Sequence, residues 1–190
     1  NLFYTQIHKS NKEELHEMTI YQNMFSIFNN FQFDDKMEIN WDNYDEKKIL
    51  KKDYTKKPFV LISAVSGNPR KDWPIINFVN LISEIKKDYK IYLCGNNDQK
   101  KIIDVFFKSY LDDDVVNIAG KVSLRELAYL CHKSLVIITN DSMVGHMAMA
   151  LNKPLLCIIP GTDLIPHKNF GNYFPYPNHQ NNQIILNEKL

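Results

Sequence analysis

The segment Leu135-Val136-Ile137-Ile138-Thr139-Asn140-Asp141-Ser142-Met143-Val144-Gly145-His146-Met147-Ala148 decides the fold. Its first four residues are a continuous apolar run, the pattern of a strand buried on both faces of a parallel sheet. A tight polar turn follows, and a helical run continues to Leu151. Asp141 is the expected N-cap, because a short polar side chain accepts from the first free amides of a helix. Ser142 and His146 lie four apart and share one face. Met143, Met147, Ala150 and Leu151 are expected on the neighbouring apolar face, against the sheet. A helix start in this place favours an anion, since unpaired amides and the positive dipole end point outward. The segment reads as a phosphate seat; the plainer alternative is a capped helix with a surface histidine.

Outward from this segment the same alternation recurs. Phe59-Val60-Leu61-Ile62 is a second continuous apolar run, followed by a polar loop over 63–73 and by Pro74, which suits the first turn of a helix. Ile75, Phe78, Val79, Ile82 and Ile85 give that helix its stripe. Lys90 to Cys94 reads as a strand, closed by Gly95-Asn96-Asn97-Asp98. A helix is expected from about Gln99 to Tyr110, with Ile102, Ile103, Phe106 and Phe107 inward. Val115 to Ile118 is a short strand, and Ser123-x-x-Glu126 is a capping box opening a helix through Cys131. Leu155 to Ile159 is a fifth strand, ended by Pro160-Gly161-Thr162-Asp163, and Gln183 to Leu186 is a sixth, edge strand. Five such alternations predict an α/β fold, a Rossmann-like parallel sheet with helices on both faces. Ligands of such sheets bind beyond the carboxyl ends of the strands. The loops 63–73, 95–98, 119–123 and 139–142 all fall there.

Ahead of this domain, assigned to 58–190, the pattern differs. Residues 1–33 hold a capping box at Ser10-x-x-Glu13 and an aromatic stripe, Leu15, Met18, Tyr21, Phe25 and Phe28, of an amphipathic helix. Residues 34–57 mix charges without period and read as a solvated linker.

Composition narrows the function classes. Lys+Arg 23 against Asp+Glu 22 leaves a net charge of +1, which argues against a nucleic-acid partner. No apolar run approaches the roughly 20 residues of a membrane span, and no charged-then-apolar leader opens the sequence. Cys94, Cys131 and Cys157 sit in or beside apolar runs and are expected as buried free thiols of a reducing, cytoplasmic setting. No GxGxxG follows the first strand and no GxxxxGK[ST] occurs, which disfavours a dehydrogenase and a P-loop ATPase. There is no GxSxG elbow, and the histidines show no metal-ligand spacing. Lys71, on the first ligand-side loop, suits a phosphate as a point charge. Asp98 suits ribose hydroxyls, unless it only caps its helix.

Four motifs in order carry a resemblance: Lys71-Asp72-Trp73-Pro74; Gly120-Lys121-Val122-Ser123-Leu124-Arg125-Glu126-Leu127-Ala128; Asn140-Asp141-Ser142-Met143-Val144-Gly145-His146-Met147-Ala148; and Pro160-Gly161-Thr162. Over roughly residues 58–165 the series resembles glycosyltransferase family 9, the ADP-heptose:lipopolysaccharide heptosyltransferases. The resemblance implies the C-terminal, donor-binding domain of a GT-B two-domain transferase that inverts the sugar it transfers. It implies that residues 1–33 end the N-terminal domain, which would supply the general base and the acceptor site, so that this chain holds no catalytic residue and is inactive alone. It places Ser66, Gly67 and Lys71 at the diphosphate and sugar, and Asp98 at the ribose. The backbone of Val122 would lie near the base, and Asp141, Ser142, Met143 and His146 on the phosphate side. The implied donor is a nucleotide-diphosphate sugar, an ADP-sugar foremost, with no cofactor and no metal. The implied acceptor is a glycolipid or oligosaccharide, at the cytoplasmic face of the inner membrane. Met143 departs from the family's glycine after D-[ST], which moves to Gly145, and is expected to crowd the phosphate or alter the turn. A non-catalytic binding or scaffold module with a degenerate phosphate turn is the alternative. A GT-B nucleotide-sugar epimerase would need Glu and His pairs that are not evident here.

Overall fold

The computed structural model describes residues 54–160 and 182–187. The aromatic helix expected within 1–33, most of the 34–57 linker and the loop from Gly161 lie outside the described residues. Six strands, Phe59–Ser63 (β1), Lys90–Leu93 (β2), Val115–Asn117 (β3), Val136–Asn140 (β4), Leu155–Pro160 (β5) and Asn182–Asn187 (β6), form one sheet of order β3-β2-β1-β4-β5-β6. All five pairings are parallel. Four α-helices connect them: Ile75–Ile85 (α1), Asn97–Phe106 (α2), Leu124–Lys133 (α3) and Met143–Ala150 (α4).

Sequence order follows from burial. β1 is buried along its whole length, as a central strand of continuous apolar residues must be. The chain leaves β1 to one side through β2 and β3, then returns to its other side with β4. Helices after the first two strands therefore cover one face, and helices after the next two cover the other. Phe78, Val79 and Ile82 of α1, with Ile103 and the flanking Phe107 of α2, pack beneath Val60, Ile62, Ile91 and Leu93. Leu127, Leu130 and Cys131 of α3, with Val144, Ala148 and Met149 of α4, pack on Leu61, Tyr92, Ile137 and Cys157. Each fully buried large side chain of this kind contributes roughly 1.5–3 kcal/mol, so the two layers hold the sheet from both sides.

Three expectations are adjusted. Tyr54, inside the stretch read as linker, is a core residue: it is 8% exposed, its ring meets Tyr92 edge-on at 5.2 Å, and its carbonyl accepts from Tyr92 Oη at 2.9 Å. Ile102 and Phe106 do not face the sheet; they are 40% and 52% exposed. Helical spacing lets Ile103 and Phe107 take the core side with the α1 residues, which turns their neighbours outward. Pro74 is the N-cap of α1 rather than its first residue. The sixth strand is at the sheet edge, as the sequence suggests.

Candidate functional site

The strand order reverses between β1 and β4, and the crevice at their carboxyl ends is the expected ligand seat of such a sheet. The loop after β1 forms one wall. The Ser66 amide donates to Asp72 Oδ1 at 2.8 Å, while the Ser66 hydroxyl closes on its own loop, donating to the Asn68 carbonyl at 2.9 Å. Gly67 stands exposed, with nothing within 4 Å of where a Cβ would be. Asn68 caps a short 3-10 turn, Pro69–Lys71. Lys71 ends that turn.

The second wall starts at the end of β2. Asn96, not Asp98, caps α2, accepting from the Asp98 and Gln99 amides in a capping box closed by Gln99. Asp98 lies in the first helical turn, exposed, with its carboxylate released from the capping role. Gln99 Nε2 also donates to the Val65 carbonyl at 2.9 Å, fastening α2 to the loop after β1. Between these walls is a cavity of about 500 Å³ lined by Ser66, Gly67, Asp72, Trp73, Asp98 and Phe106 among others. The sequence-derived residues Ser66, Gly67 and Asp98 are therefore brought together. The outward Ile102 and Phe106 supply part of the apolar lining, opposite Trp73.

Val122, Asp141, Ser142, Met143 and His146 are not among the lining residues of this cavity. Val122 is half-buried and packs on the α3 and α4 side of the sheet. It follows a turn at Gly120, whose φ of 67° suits glycine. Lys121 Nζ, donating to the Asn117 carbonyl at 2.6 Å, braces that turn. Ser123 then caps α3 in the expected capping box with Glu126.

At the β4–α4 turn the cap is Ser142 rather than Asp141. Ser142 Oγ accepts from the Val144 amide at 3.3 Å and lies 2.8 Å from Thr139 Oγ1. The strand runs on through Asn140, so the helix starts one residue later than expected. The buried face is Val144, Gly145, Ala148 and Met149; of the residues expected there, Met147 and Leu151 are half-buried and pack against the same core, whereas Met143 is exposed. Met143 is 49% exposed and begins the helix with no positive φ, so the turn does not need the family's glycine there.

The residue that joins the two sides was given no role by the sequence reading. Asn140 is fully buried. Its Oδ1 accepts from the Trp73 amide at 2.9 Å, and its Nδ2 donates to the Ala64 carbonyl at 2.9 Å and to Asp72 Oδ1 at 3.2 Å. A polar side chain ending an apolar strand was the available signal, since burial of an amide demands partners.

Beneath the site the three thiols are buried. Burial pushes Cys94 up to about 12. Burial first, then the nearby charge of Asp141, pushes Cys157 up to about 12. Cys131 is raised further, chiefly by burial. Protonated thiols of this kind pack as small apolar groups and are not nucleophiles. No group of histidine, cysteine and carboxylates able to hold a metal occurs among the described residues. No helix among them is long and apolar enough to cross a membrane.

Residues 1–188 match the family model described as glycosyltransferase family 9 (heptosyltransferase). Lipooligosaccharide heptosyltransferase 2 of Haemophilus influenzae is 31% identical over 94 residues, 47% of this chain and 27% of that protein. Lipopolysaccharide heptosyltransferase 1 of Campylobacter coli is 32% identical over 114 residues, 56% of this chain and 32% of that protein. Among solved structures, a family 9 glycosyl transferase from Veillonella parvula aligns with a TM-score of 0.73 at 15% identity, over 97% of this chain and 53% of that one. The E. coli heptosyltransferase WaaC with ADP aligns with a TM-score of 0.67 at 15% identity, over 97% of this chain and 54% of that one. The chain thus spans about half the length of these solved relatives, and the likeness to them is one of fold, a Rossmann-like domain of the GT-B architecture. With the first three motifs set in this fold and the family model matched along nearly the whole sequence, the chain belongs to glycosyltransferase family 9, the heptosyltransferases.

Proposed function

We propose that this chain is the C-terminal, donor-binding part of an inverting glycosyltransferase. The full protein moves a heptose-like sugar from a nucleotide-diphosphate sugar, an ADP-sugar foremost, to a lipopolysaccharide or another cell-surface glycan. The observation that carries this reading is the bonding of the β1 loop to the end of β4 at the point where the strand order reverses. The ADP bound in the related WaaC structure supports the choice of donor.

The diphosphate lies across the start of α4 and the loop holding Ser66, Gly67 and Lys71. Asp98 accepts from the ribose hydroxyls, and the base lies by the Val122 backbone. As the glycosidic bond to the donor breaks, negative charge grows on the leaving diphosphate. The helix start, Lys71 and His146 stabilise that charge, an arrangement fixed before reaction and hence effective. A carboxylate in the N-terminal domain removes the acceptor hydroxyl proton, which requires hydrogen-bond reach. Neither a metal nor a cofactor enters this scheme. The acceptor is a glycolipid, met at the cytoplasmic face of the inner membrane.

The test is a thermal-shift panel of ADP, GDP, UDP and CDP on the full chain, followed by calorimetry. A ligand at one hundred times its Kd adds about 2.7 kcal/mol to stability, a readily measured rise in Tm. ADP is expected to give the largest rise. Lys71→Ala and His146→Ala are each expected to weaken ADP without unfolding the chain. No response to any nucleotide at millimolar concentration overturns the reading and favours a non-catalytic module.

A further inference from the structure

We propose that Asn140 and Asp72 form a clamp that fixes the spacing of the two loops flanking the donor diphosphate, and that Asn140 is a positioning residue for that site. The inference rests on the donor-binding reading and adds to it residues outside the expected contact set. Every hydrogen bond described for the Asn140 side chain goes to the β1 loop: to the Ala64 carbonyl, the Asp72 carboxylate and the Trp73 amide. Its backbone belongs to the last position of β4, immediately before Asp141 and Ser142. One side chain thus fastens the loop of Ser66, Gly67 and Lys71 to the strand that ends in the phosphate turn.

Asp72 extends the connection. Its Oδ1 accepts from Asn140 Nδ2 at 3.2 Å and from the Ser66 amide at 2.8 Å. Moving the end of β4 therefore moves the backbone at Ser66 and Gly67. The Trp73 amide, bonded to Asn140 Oδ1 at 2.9 Å, sets the indole that walls the cavity and meets Phe78 edge-on at 5.0 Å. Apolar packing alone would suit a sheet interior here. A fully buried amide with three partners gives direction and register that packing does not. Preorganised spacing matters because misplaced donors lose their effect on a developing charge.

The experiment uses the full chain, ADP as the probe and calorimetry as the readout, at a temperature well below melting. Asn140→Asp keeps the acceptor for the Trp73 amide but faces Asp72 with a second carboxylate, and is expected to weaken ADP about tenfold. Asp72→Asn keeps in its Oδ1 the acceptor for both the Ser66 amide and Asn140 Nδ2 and is expected to leave ADP binding within about twofold, whereas Asp72→Ala removes that shared oxygen and is expected to weaken ADP about threefold. The Asn140→Asp/Asp72→Asn double variant restores a donor–acceptor pair between positions 72 and 140 but leaves the Ala64 carbonyl without its donor, and is expected to recover part of the Asn140→Asp loss. Amide hydrogen exchange at Ser66 and Trp73 follows the same pattern, faster in the single variant and slowed again in the double. An Asn140→Asp or Asp72→Ala variant that binds ADP like the parent chain, or a double variant whose losses simply add, overturns the clamp while the donor reading stands. If Asn140→Asp does not fold, Asp72→Ala, which removes the oxygen both bonds share, decides, and unchanged affinity there overturns the clamp. A parent chain that binds no nucleotide overturns the donor reading and the clamp's role with it.

Discussion

Asp72 Oδ1 and Asn140 Nδ2 lie 3.2 Å apart although 68 residues separate them in the chain. This bond, rather than the exposed polar turn after it, marks where the two halves of the sheet meet. Asn140→Ala leaves the Trp73 amide and the Ala64 carbonyl without their described partner. The expected cost is about 1–3 kcal/mol, the usual penalty for unsatisfied buried polar groups. Urea unfolding of the two proteins checks it, and a difference near zero contradicts the stated role.

Two glycines separate folding from binding. Gly120 has a φ of 67°, and a Cβ there collides with Asn97 Oδ1. Gly120→Ala is expected to lower stability by about 1–3 kcal/mol. Gly67 has open space around it, so Gly67→Ala should leave Tm unchanged or slightly higher. Its effect belongs in the ADP titration: weaker binding at unchanged Tm marks close approach of the ligand to this backbone. A clear fall in Tm for Gly67→Ala contradicts the geometry.

Met143 is half-exposed at the first position of α4. Helical side chains lean toward the helix N-terminus, so this one leans toward the ground an anion would occupy. Met143→Gly is expected to cost at most about 1 kcal/mol of stability and to tighten ADP binding. Melting and calorimetry on the same sample test both halves. Weaker binding in the variant would show that the methionine serves as a contact.

The buried thiols make stability fall at alkaline pH. Cys94 and Cys157 are pushed up to about 12 in the fold by burial, whereas an unfolded thiol ionises near ~8.5. Below that value both states hold the proton and the thiols exert no pH dependence. Above it the unfolded chain loses protons that the folded chain keeps. Each such thiol then lowers stability by about 1.4 kcal/mol per pH unit, up to its folded value. Urea unfolding from pH 7 to 10 should show this decline, and a Cys94→Ala/Cys157→Ala variant should show a shallower one. Equal slopes would place the titration elsewhere.

How far the sequence speaks is clearest at the β4–α4 turn. Strand, turn, helix and their place at the binding end were all legible, because apolar runs and cap residues are local signals. The cap itself was not: Asp141 and Ser142 are both good caps, and pairing of Asn140 with Ile158 extends the strand past the apolar run. That single step turns the helix by one residue, puts Val144 and Ala148 at the centre of the inner face and Met143 outside it, with Met147 half-buried at its border. The same ambiguity placed Asn96 rather than Asp98 at the cap of α2. In α2, Ile102 and Phe106 matched an inward stripe equally well with Ile103 and Phe107, and only packing on the sheet distinguishes them. Ser66, Gly67 and Asp98 were legible as loop residues at one end of the sheet and share a cavity. The Asn140 bonds were not, because contacts between distant segments leave no local pattern.

The place of β1 has a kinetic consequence. It is the first described strand in the sequence, yet its partner β4 and the bond from Asn140 to Ala64 come 76 residues later. Contacts of such long sequence separation close late, since their loop entropy is lost before they return any stability. The crevice is therefore expected to be the last part of the sheet to set during folding. Substitutions at Asn140 should speed unfolding while leaving the folding rate nearly untouched. On a chain emerging from synthesis, the crevice stays open until β4 arrives.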